Sequence, residues 1–205
     1  MVPTQLNEIT EFLRTNPYNL SQPLQDGRLN SSVNEKEILN TIKDNFPIQL
    51  PRAREWWDFS FEENKIFYPV NIKTTTTKTA DNLNGKLGIY YALCGLVPEF
   101  NNKIAWEKYF QKLHKDLGTN TNRDYYFLII NKNDPKDVFI NSLKGIQTLQ
   151  PNNLPFQCKW DNNRKIVQRS FIESKNFILS ALAKSVKLRA NIYLTFKEFF
   201  GEFFE

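Results

Sequence analysis

The chain has 205 residues, 40% of them hydrophobic, and a formal net charge of +5, which suits one domain with a substantial core and is compatible with a polyanionic partner. No apolar run approaches the length of a membrane span, roughly 18 residues, and no signal peptide is visible. The sequence has no phosphate-binding glycine loop, and its single His excludes a catalytic triad or a zinc site built on several histidines. Two Cys are too few for a disulfide framework, which indicates a reduced, cytoplasmic protein. The absence of several histidines and of a phosphate-binding glycine loop favours carboxylate–metal chemistry.

The N-terminal quarter predicts two helices. Apolar residues at helical spacing predict the first over residues 4–15, and the Asn- and Pro-rich residues 16–31 predict a loop. Ser32 and Glu35 have the spacing of a capping box, which predicts the start of a second helix that ends at Pro47. Glu35 lies on the apolar stripe of that helix and is expected to face the sheet.

Two strands follow, and their polar residues converge. Alternation places Asp58 on one face of the first strand, and Asn71 and Lys73 together on one face of the second. The polar residues 62–65 between them predict a hairpin. Paired strands would bring an acid, an amide and an amine to one sheet edge, where they could hold a divalent metal and place a cation beside a phosphate.

The remaining elements predict an α/β fold. Residues 1–205 are expected to form a single domain in which a central mixed β-sheet is flanked by α-helices. Helical spacing predicts helices over 83–94, 105–117 and 171–184, and apolar runs predict strands over 125–130, 138–143 and 156–160. Alternate apolar residues from Val186 to Phe196 predict a late strand.

Asp58 and the triplet Asn71-Ile72-Lys73 resemble the core motif of the PD-(D/E)XK nuclease superfamily. The segments 69–75, 80–83 and 152–160 resemble type II restriction endonucleases, and the likeness spans roughly residues 30 to 165. The resemblance implies a restriction-endonuclease-like fold and a Mg2+ ion held by Asp58, by Asn71 in place of the family's second acid, and by Glu35 as a supplementary acid. It gives Lys73 the role of supporting the attacking water. A purely capping role for Glu35 stays open, and Asp81 and Glu55 are further candidate acids.

Ten residues are candidates for DNA contacts. Hydroxyl and cationic side chains favour the phosphate backbone, whereas Asn, Gln and Arg can pair with base edges. Ordinary exposed loops would carry the same residue types, so this alternative also stays open. The candidates are Arg52, Arg54, Thr75, Lys78, Asn152, Asn153, Gln157, Lys159, Asn163 and Arg164.

The function that the resemblance implies is that of a type II restriction endonuclease. Such an enzyme hydrolyses double-stranded DNA at a short site with Mg2+, leaves 5′-phosphate ends, acts as a homodimer and is encoded with a cognate DNA methyltransferase. Three alternatives remain: a repair or recombination nuclease of the same superfamily, a non-catalytic DNA-binding protein, and an interaction domain without nucleic acid.

Overall fold

A computed structural model describes residues 2–17, 27–52, 55–83, 85–100, 105–153 and 155–203, with only the backbone described over 27–33. The helices are α1 (Thr4–Thr15), α2 (Gly27–Asn45), α3 (Lys86–Cys94), α4 (Trp106–Asp116) and α5 (Phe171–Phe199). The strands are β1 (Phe59–Glu63), β2 (Ile66–Thr75), β3 (Ala80–Leu83), β4 (Tyr126–Asn131), β5 (Asp134–Ser142), β6 (Gln150–Pro151) and β7 (Phe156–Lys159). Within these residues, no helix is both long and apolar enough to cross a membrane.

The main sheet is mixed and has the strand order β1-β2-β4-β5. Strand β2 pairs antiparallel with β1 and parallel with β4, and β4 pairs antiparallel with β5. The chain between β2 and β4 forms β3, α3 and α4, as a parallel pair requires a long crossover. The α/β prediction, with a mixed sheet flanked by helices, is confirmed.

Each face of the main sheet packs on its own core. Alternate residues of the central strand β4 serve the two sides, since Leu128 packs with α1 and α2 whereas Phe127 and Ile129 pack with α3, α4 and α5. The second side also holds a small antiparallel sheet with the order β3-β7-β6. The run from Tyr126 to Ile130 is buried throughout, as expected for a strand covered on both faces.

The predicted hairpin joins β1 and β2. Asn64 and Lys65 form its turn with φ values of 54° and 61°, the left-handed conformation that a two-residue hairpin turn requires. The register pairs Phe59 with Val70. This register brings Asp58 next to Asn71, so the predicted convergence of these two residues is confirmed.

Two sequence-based predictions about helices are wrong. Helix α2 begins at Gly27, five residues before Ser32, so Ser32 lies inside the helix and cannot cap it. The late strand over 186–196 is instead the second half of α5, which runs unbroken from Phe171 to Phe199. Ser170 and Glu173 form a complete capping box at the start of that helix, and neither Gly nor Pro interrupts it.

Candidate active site

The three converging residues line one pocket. Asp58, Asn71 and Lys73 border a cavity of about 190 Å³ between the main sheet, α3 and the small sheet. Its remaining walls are mostly apolar or aromatic, with Glu55 as a further acid. Those walls consist of Trp56, Leu83, Gly85, Ile89, Tyr125, Phe127, Leu143 and Phe156. A few polar groups in an apolar cleft are the usual composition of a small binding or catalytic site.

Asp58 lies where β1 leaves β2. Its backbone N–H donates to the carbonyl of Val70 at 2.9 Å, the final strand-like contact between the two segments. Beyond it, the N–H groups of Ile72 and Thr74 point toward an edge that β1 does not cover, because N–H groups two residues apart point the same way along a strand. The Oδ2 atom of Asp58 accepts from the Ile72 N–H at 2.6 Å.

Glu35 occupies the next position along the same open edge. Its carboxylate accepts a hydrogen bond from the backbone of Thr74 and interacts electrostatically with Asp58, Lys73 and Asp81. Since two strand residues span about 6.6 Å, the Asp58 and Glu35 carboxylates are set side by side along β2. The prediction that Glu35 faces the sheet is therefore correct, and its alternative as a capping residue is excluded by the start of α2 at Gly27.

Burial perturbs both carboxyl groups. Loss of solvent, together with the charge of the neighbouring Asp58, raises the pKa of Glu35 to about 7, while Lys73 and the Thr74 hydrogen bond oppose the shift. Burial also raises the pKa of Asp58, against the Ile72 hydrogen bond and Lys73, which both favour its ionised form. Two acids whose pKa values are both raised by burial in one cleft mark a functional-site candidate with a stated physical cause.

Asn71 is oriented by Asp58. Its Nδ2 atom donates to Oδ2 of Asp58 at 2.7 Å, which turns the amide oxygen of Asn71 away from that carboxylate. Within the described residues, this amide oxygen and Oδ1 of Asp58 accept no hydrogen bond. Both are hard oxygen donors on the border of the cavity.

Lys73 ties the main sheet to the small sheet. Its Nζ atom donates to the carbonyl of Asn82 at 3.1 Å and lies 3.8 Å from Oδ1 of Asp81. Asp81 in turn accepts from the indole N–H of Trp160 at 2.8 Å. The ammonium group is therefore held at the pocket by β3, and only 17% of the Lys73 side chain is exposed.

The oxygen donors fit a magnesium ion in type. Among the described residues, no three His, Cys, Asp or Glu side chains are grouped so as to hold a metal. A site formed by Asp58, the Asn71 amide oxygen and Glu35 contains only two acidic side chains, so its third protein ligand is the amide oxygen. Carboxylate, amide carbonyl and water are the ligands that Mg2+ takes in proteins.

The outer face of the small sheet is rich in amides. Gln157 pairs with Asn82 across β7 and β3, and with Gln150 across β7 and β6, so all three residues share one face. Asn152 donates to Oδ1 of Asn82 at 2.6 Å and to Oε1 of Gln157 at 3.2 Å. The two bonds leave the amide N–H groups of Asn82 and Gln157 directed away from Asn152. We refer to Asn82, Asn152 and Gln157 as the amide cluster.

Five of the predicted DNA-contacting residues have accessible positions. Their side chains are exposed or only half-buried on the loops and strands around the small sheet or before β1: Arg52, Lys78, Asn152, Asn153 and Lys159. Gln157 is half-buried within the amide cluster, and Arg54 lies outside the described residues.

Three of the predicted DNA contacts do not fit the structure. Asn163 has no exposed surface, and its side chain bonds the backbone of Thr148 and of Lys159. Thr75 is also buried, at 9% exposure. The Arg164 guanidinium is bound to Asp137 at 2.7 and 2.8 Å and to Asp161 at 2.9 Å, so its donors already serve protein carboxylates.

Sequence reasoning missed Asn82. This residue contributes its backbone carbonyl to Lys73 and its side chain to the amide cluster. The available signal was an exposed Asn flanked by Asp81 and Leu83 in a short alternating segment, a pattern that predicts a strand with one outward amide. The pairing that makes Asn82 important comes from β7, about 75 residues away along the chain.

Comparison of the sequence with protein-family models and with curated proteins finds no match to either.

Proposed function

We propose that this protein is a magnesium-dependent DNA endonuclease that cuts at a short recognition site, in the manner of type II restriction endonucleases. The observation that supports this function best is the set of Asp58, Asn71 and Lys73 around one cavity, with Glu35 on the adjacent stretch of β2 edge. Acid, amide and amine in one cleft are the groups needed to bind a hard dication and to stabilise charge on a phosphate.

Asp58, the Asn71 amide oxygen and Glu35 would hold Mg2+. When bound, the ion supplies Lewis-acid stabilisation of a phosphate and lowers the pKa of bound water. Glu35 retains a proton up to a pH of about 7 while the ion is absent, so cation binding and loss of this proton are coupled.

Lys73 provides positive charge where the phosphate is attacked. Asn82 and Asp81 fix its ammonium group in the pocket, so little reorganisation is needed when negative charge develops on the phosphate oxygens. The resemblance to restriction endonucleases gives the outcome of such a reaction, a water attack that releases the 3′ oxygen and leaves a 5′-phosphate end.

The amide cluster supports a role in reading bases. Asn and Gln side chains pair bidentately with adenine in the major groove, using one donor and one acceptor. Asn82 and Gln157 lie on the outer face of the sheet whose inner face carries Asp81 toward Lys73. Arg52, Lys78 and Lys159 are exposed cations that would contact phosphates.

The proposal includes the setting of the enzyme. It acts in the cytoplasm on double-stranded DNA as a homodimer, with a cognate DNA methyltransferase that protects the host sites. A homodimer suits a palindromic site because both have twofold symmetry.

Digestion of plasmid DNA tests the proposal. Purified protein is incubated with supercoiled plasmid in 10-fold steps of Mg2+ or with EDTA, and the product ends are sequenced. Cuts at one short sequence with 5′-phosphates, seen with Mg2+ and absent with EDTA and in Lys73→Ala, are expected. Cuts governed by DNA branches or ends would instead assign a repair or recombination nuclease, and equal cutting by Lys73→Ala would remove this pocket from the reaction.

A second candidate is a DNA-binding protein that does not cut. Among the described residues no three acids are grouped as a metal site, and a site with three acids would bind the ion more strongly than two acids and an amide. This candidate predicts DNA binding that weakens with salt but no nicking at any Mg2+ concentration.

A further inference from the structure

A second cavity lies on the opposite face of the main sheet from the pocket at Asp58. Its volume is about 340 Å³, against about 190 Å³ for that pocket. Tyr68 of β2 and Tyr126 of β4 line it, and both project from the side of the sheet that packs on α1 and α2. Asn71 and Lys73 project from the other side, because neighbouring residues of a strand alternate between its faces.

Three basic side chains line this second cavity, and each comes from a different connection. Arg123 precedes β4, Lys144 follows β5 and Arg169 precedes α5. Among the residues described around the cavity, Asp124 is the one acid. The lining therefore carries two more positive than negative charges when all four groups are ionised. We call this cavity, with its three cations, the cationic pocket.

Neutral oxygen atoms hold these cations in place. The Nζ atom of Lys144 donates to the backbone carbonyls of Thr121 at 2.8 Å and of Arg123 at 2.5 Å. The Nη1 atom of Arg169 donates to two further backbone carbonyls, at 2.9 and 2.8 Å. The Nη1 atom of Arg123 donates to the side-chain oxygen of Asn122 at 2.9 Å. Such acceptors fix the positions of the cations but leave their charge uncompensated.

None of the three cations forms an ion pair with a described residue, whereas Arg164 on the same stretch of chain forms two. The acids that act on them from farther away already serve other donors. Asp124, which acts on Lys144, accepts hydrogen bonds from two backbone N–H groups. Glu173, which acts on Arg169, takes part in the capping box of α5.

These cations are partly buried without a paired carboxylate, which is unfavourable. Loss of solvent lowers the pKa of Lys144 and that of Arg169, so their surroundings disfavour the charged forms. A bound anion would offset this cost by supplying the missing opposite charge. Donors remain for it, because one N–H of the Lys144 ammonium and the Nε and Nη2 groups of both arginines have no acceptor among the described residues.

We propose that the cationic pocket binds a small phosphate monoester, with the phosphate among its three cations and the organic part beside Tyr68. A phosphate monoester carries about −1.5 to −2 charges at pH 7, which matches the excess of positive charge in the pocket. Guanidinium forks and ammonium groups are the usual phosphate ligands in proteins. The cavity exceeds the size of a phosphate, and Tyr68, Ile166 and Val167 give the organic part an apolar wall.

A phosphate of the DNA that this chain is proposed to cut fits the cationic pocket less well. DNA engaged at Asp58 and Lys73 would lie against the other face of the main sheet. A concave cavity between three connections also suits a small ligand better than the backbone of a duplex. The proposal does not depend on what the pocket at Asp58 does.

Calorimetric titration of the full chain in EDTA tests the proposal, with AMP as a phosphate monoester that carries an aromatic base. AMP is expected to bind at least about tenfold more tightly than adenosine, which lacks the phosphate. Arg123→Gln should weaken AMP binding at least about tenfold. Among the described residues the Arg123 side chain donates only to the exposed Asn122, so circular dichroism should show an unchanged fold.

Three further variants locate the ligand. Arg169→Lys keeps the charge but loses the planar fork, so it should also weaken AMP binding. Lys73→Ala should leave AMP binding unchanged, because Lys73 lines the other cavity. Lys108→Gln, at an exposed position of α4, is the matched control for net charge and should have no effect.

Four results would overturn the proposal. The first is the absence of binding by the wild-type chain of both AMP and inorganic phosphate at about 1 mM. The second is AMP binding that survives both Arg123→Gln and Arg169→Lys. Loss of AMP binding in Lys73→Ala would place the ligand in the pocket at Asp58. Binding of a short DNA duplex but not of AMP, lost in Arg123→Gln, would assign the three cations to the DNA backbone.

Discussion

Replacing Glu35 with Gln should change how stability depends on pH. Because burial raises the pKa of Glu35 from 4.5 to about 7, the folded state keeps a proton on this carboxyl that the unfolded state has lost between these values. The folded protein therefore loses stability as pH rises through this range. At 1.36 kcal/mol per pKa unit, the loss from Glu35 amounts to about 3 kcal/mol.

Glu35→Gln removes this dependence but keeps an oxygen that can accept from the Thr74 N–H. We expect the variant to resemble the wild type in stability near pH 4.5 and to be more stable by about 3 kcal/mol near pH 8, without metal. Asp58 keeps a smaller slope of the same sign in both proteins, because its pKa is also raised by burial.

Urea unfolding followed by tryptophan fluorescence, at pH 4.5, 6 and 8 in EDTA, measures the difference. Glu8→Gln, at an exposed position of α1, controls for the change in net charge. Parallel curves of unfolding free energy against pH for the wild type and Glu35→Gln would show that Glu35 is not desolvated beside Asp58. Adding Mg2+ should then stabilise the wild type more at pH 8 than at pH 4.5, since the ion competes with protons for the carboxylates.

Further substitutions separate binding, chemistry and stability. Lys73→Ala should bind its DNA site within a few-fold of the wild type in a gel-shift assay but cut at least about a hundredfold more slowly. Asp58→Asn and Asp58→Ala should both abolish Mg2+-dependent nicking. The free energy of unfolding should be about 1–2 kcal/mol lower for the Ala variant than for the Asn variant, because only Asn can still accept a hydrogen bond from the Ile72 N–H. Asn71→Asp should lower the Mg2+ concentration for half-maximal nicking and destabilise the metal-free protein, increasingly so as pH rises; an unchanged Mg2+ requirement would mean that residue 71 does not touch the ion.

The strand pattern around the pocket was predictable from sequence because two local rules act together. The two-residue period of a strand places Asn71 and Lys73 on one face, and the polar turn at Asn64 and Lys65 makes β1 an antiparallel neighbour of that strand. What sequence could not provide was Asn82, whose importance comes from a pairing with β7 far along the chain.

Two similar capping signals had different outcomes. Ser170 and Glu173 form a capping box at the start of α5, whereas Ser32 and Glu35, with the same spacing, lie inside α2. A capping box uses hydrogen bonds between residues close in sequence. The Glu35 carboxylate instead accepts from the backbone N–H of Thr74 in β2, which lies close to it only in the folded protein. The position of Glu35 on the apolar stripe of α2, and not the capping motif, therefore predicted that it faces the sheet.

Alternate apolar residues from Val186 to Phe196 predicted a strand because the exposed part of α5 does not concentrate its apolar residues on one stripe. Apolar residues occur on several sides of this part of α5, and their exposure shows that packing in the body does not select among them. With no helix breaker between Phe171 and Phe200, backbone propensity and the cap at Ser170 decide the outcome.

The uncovered edge of β2 also bears on how the protein avoids aggregation. A strand edge with unpaired N–H groups is a template on which a strand of another molecule can add. At Ile72 and Thr74 those donors are occupied by the side chains of Asp58 and Glu35, so an incoming strand would meet two carboxylates in place of free donors. The same two residues proposed to bind a metal thus close the sheet against self-association, and variants that lack both would lose this protection together with the site.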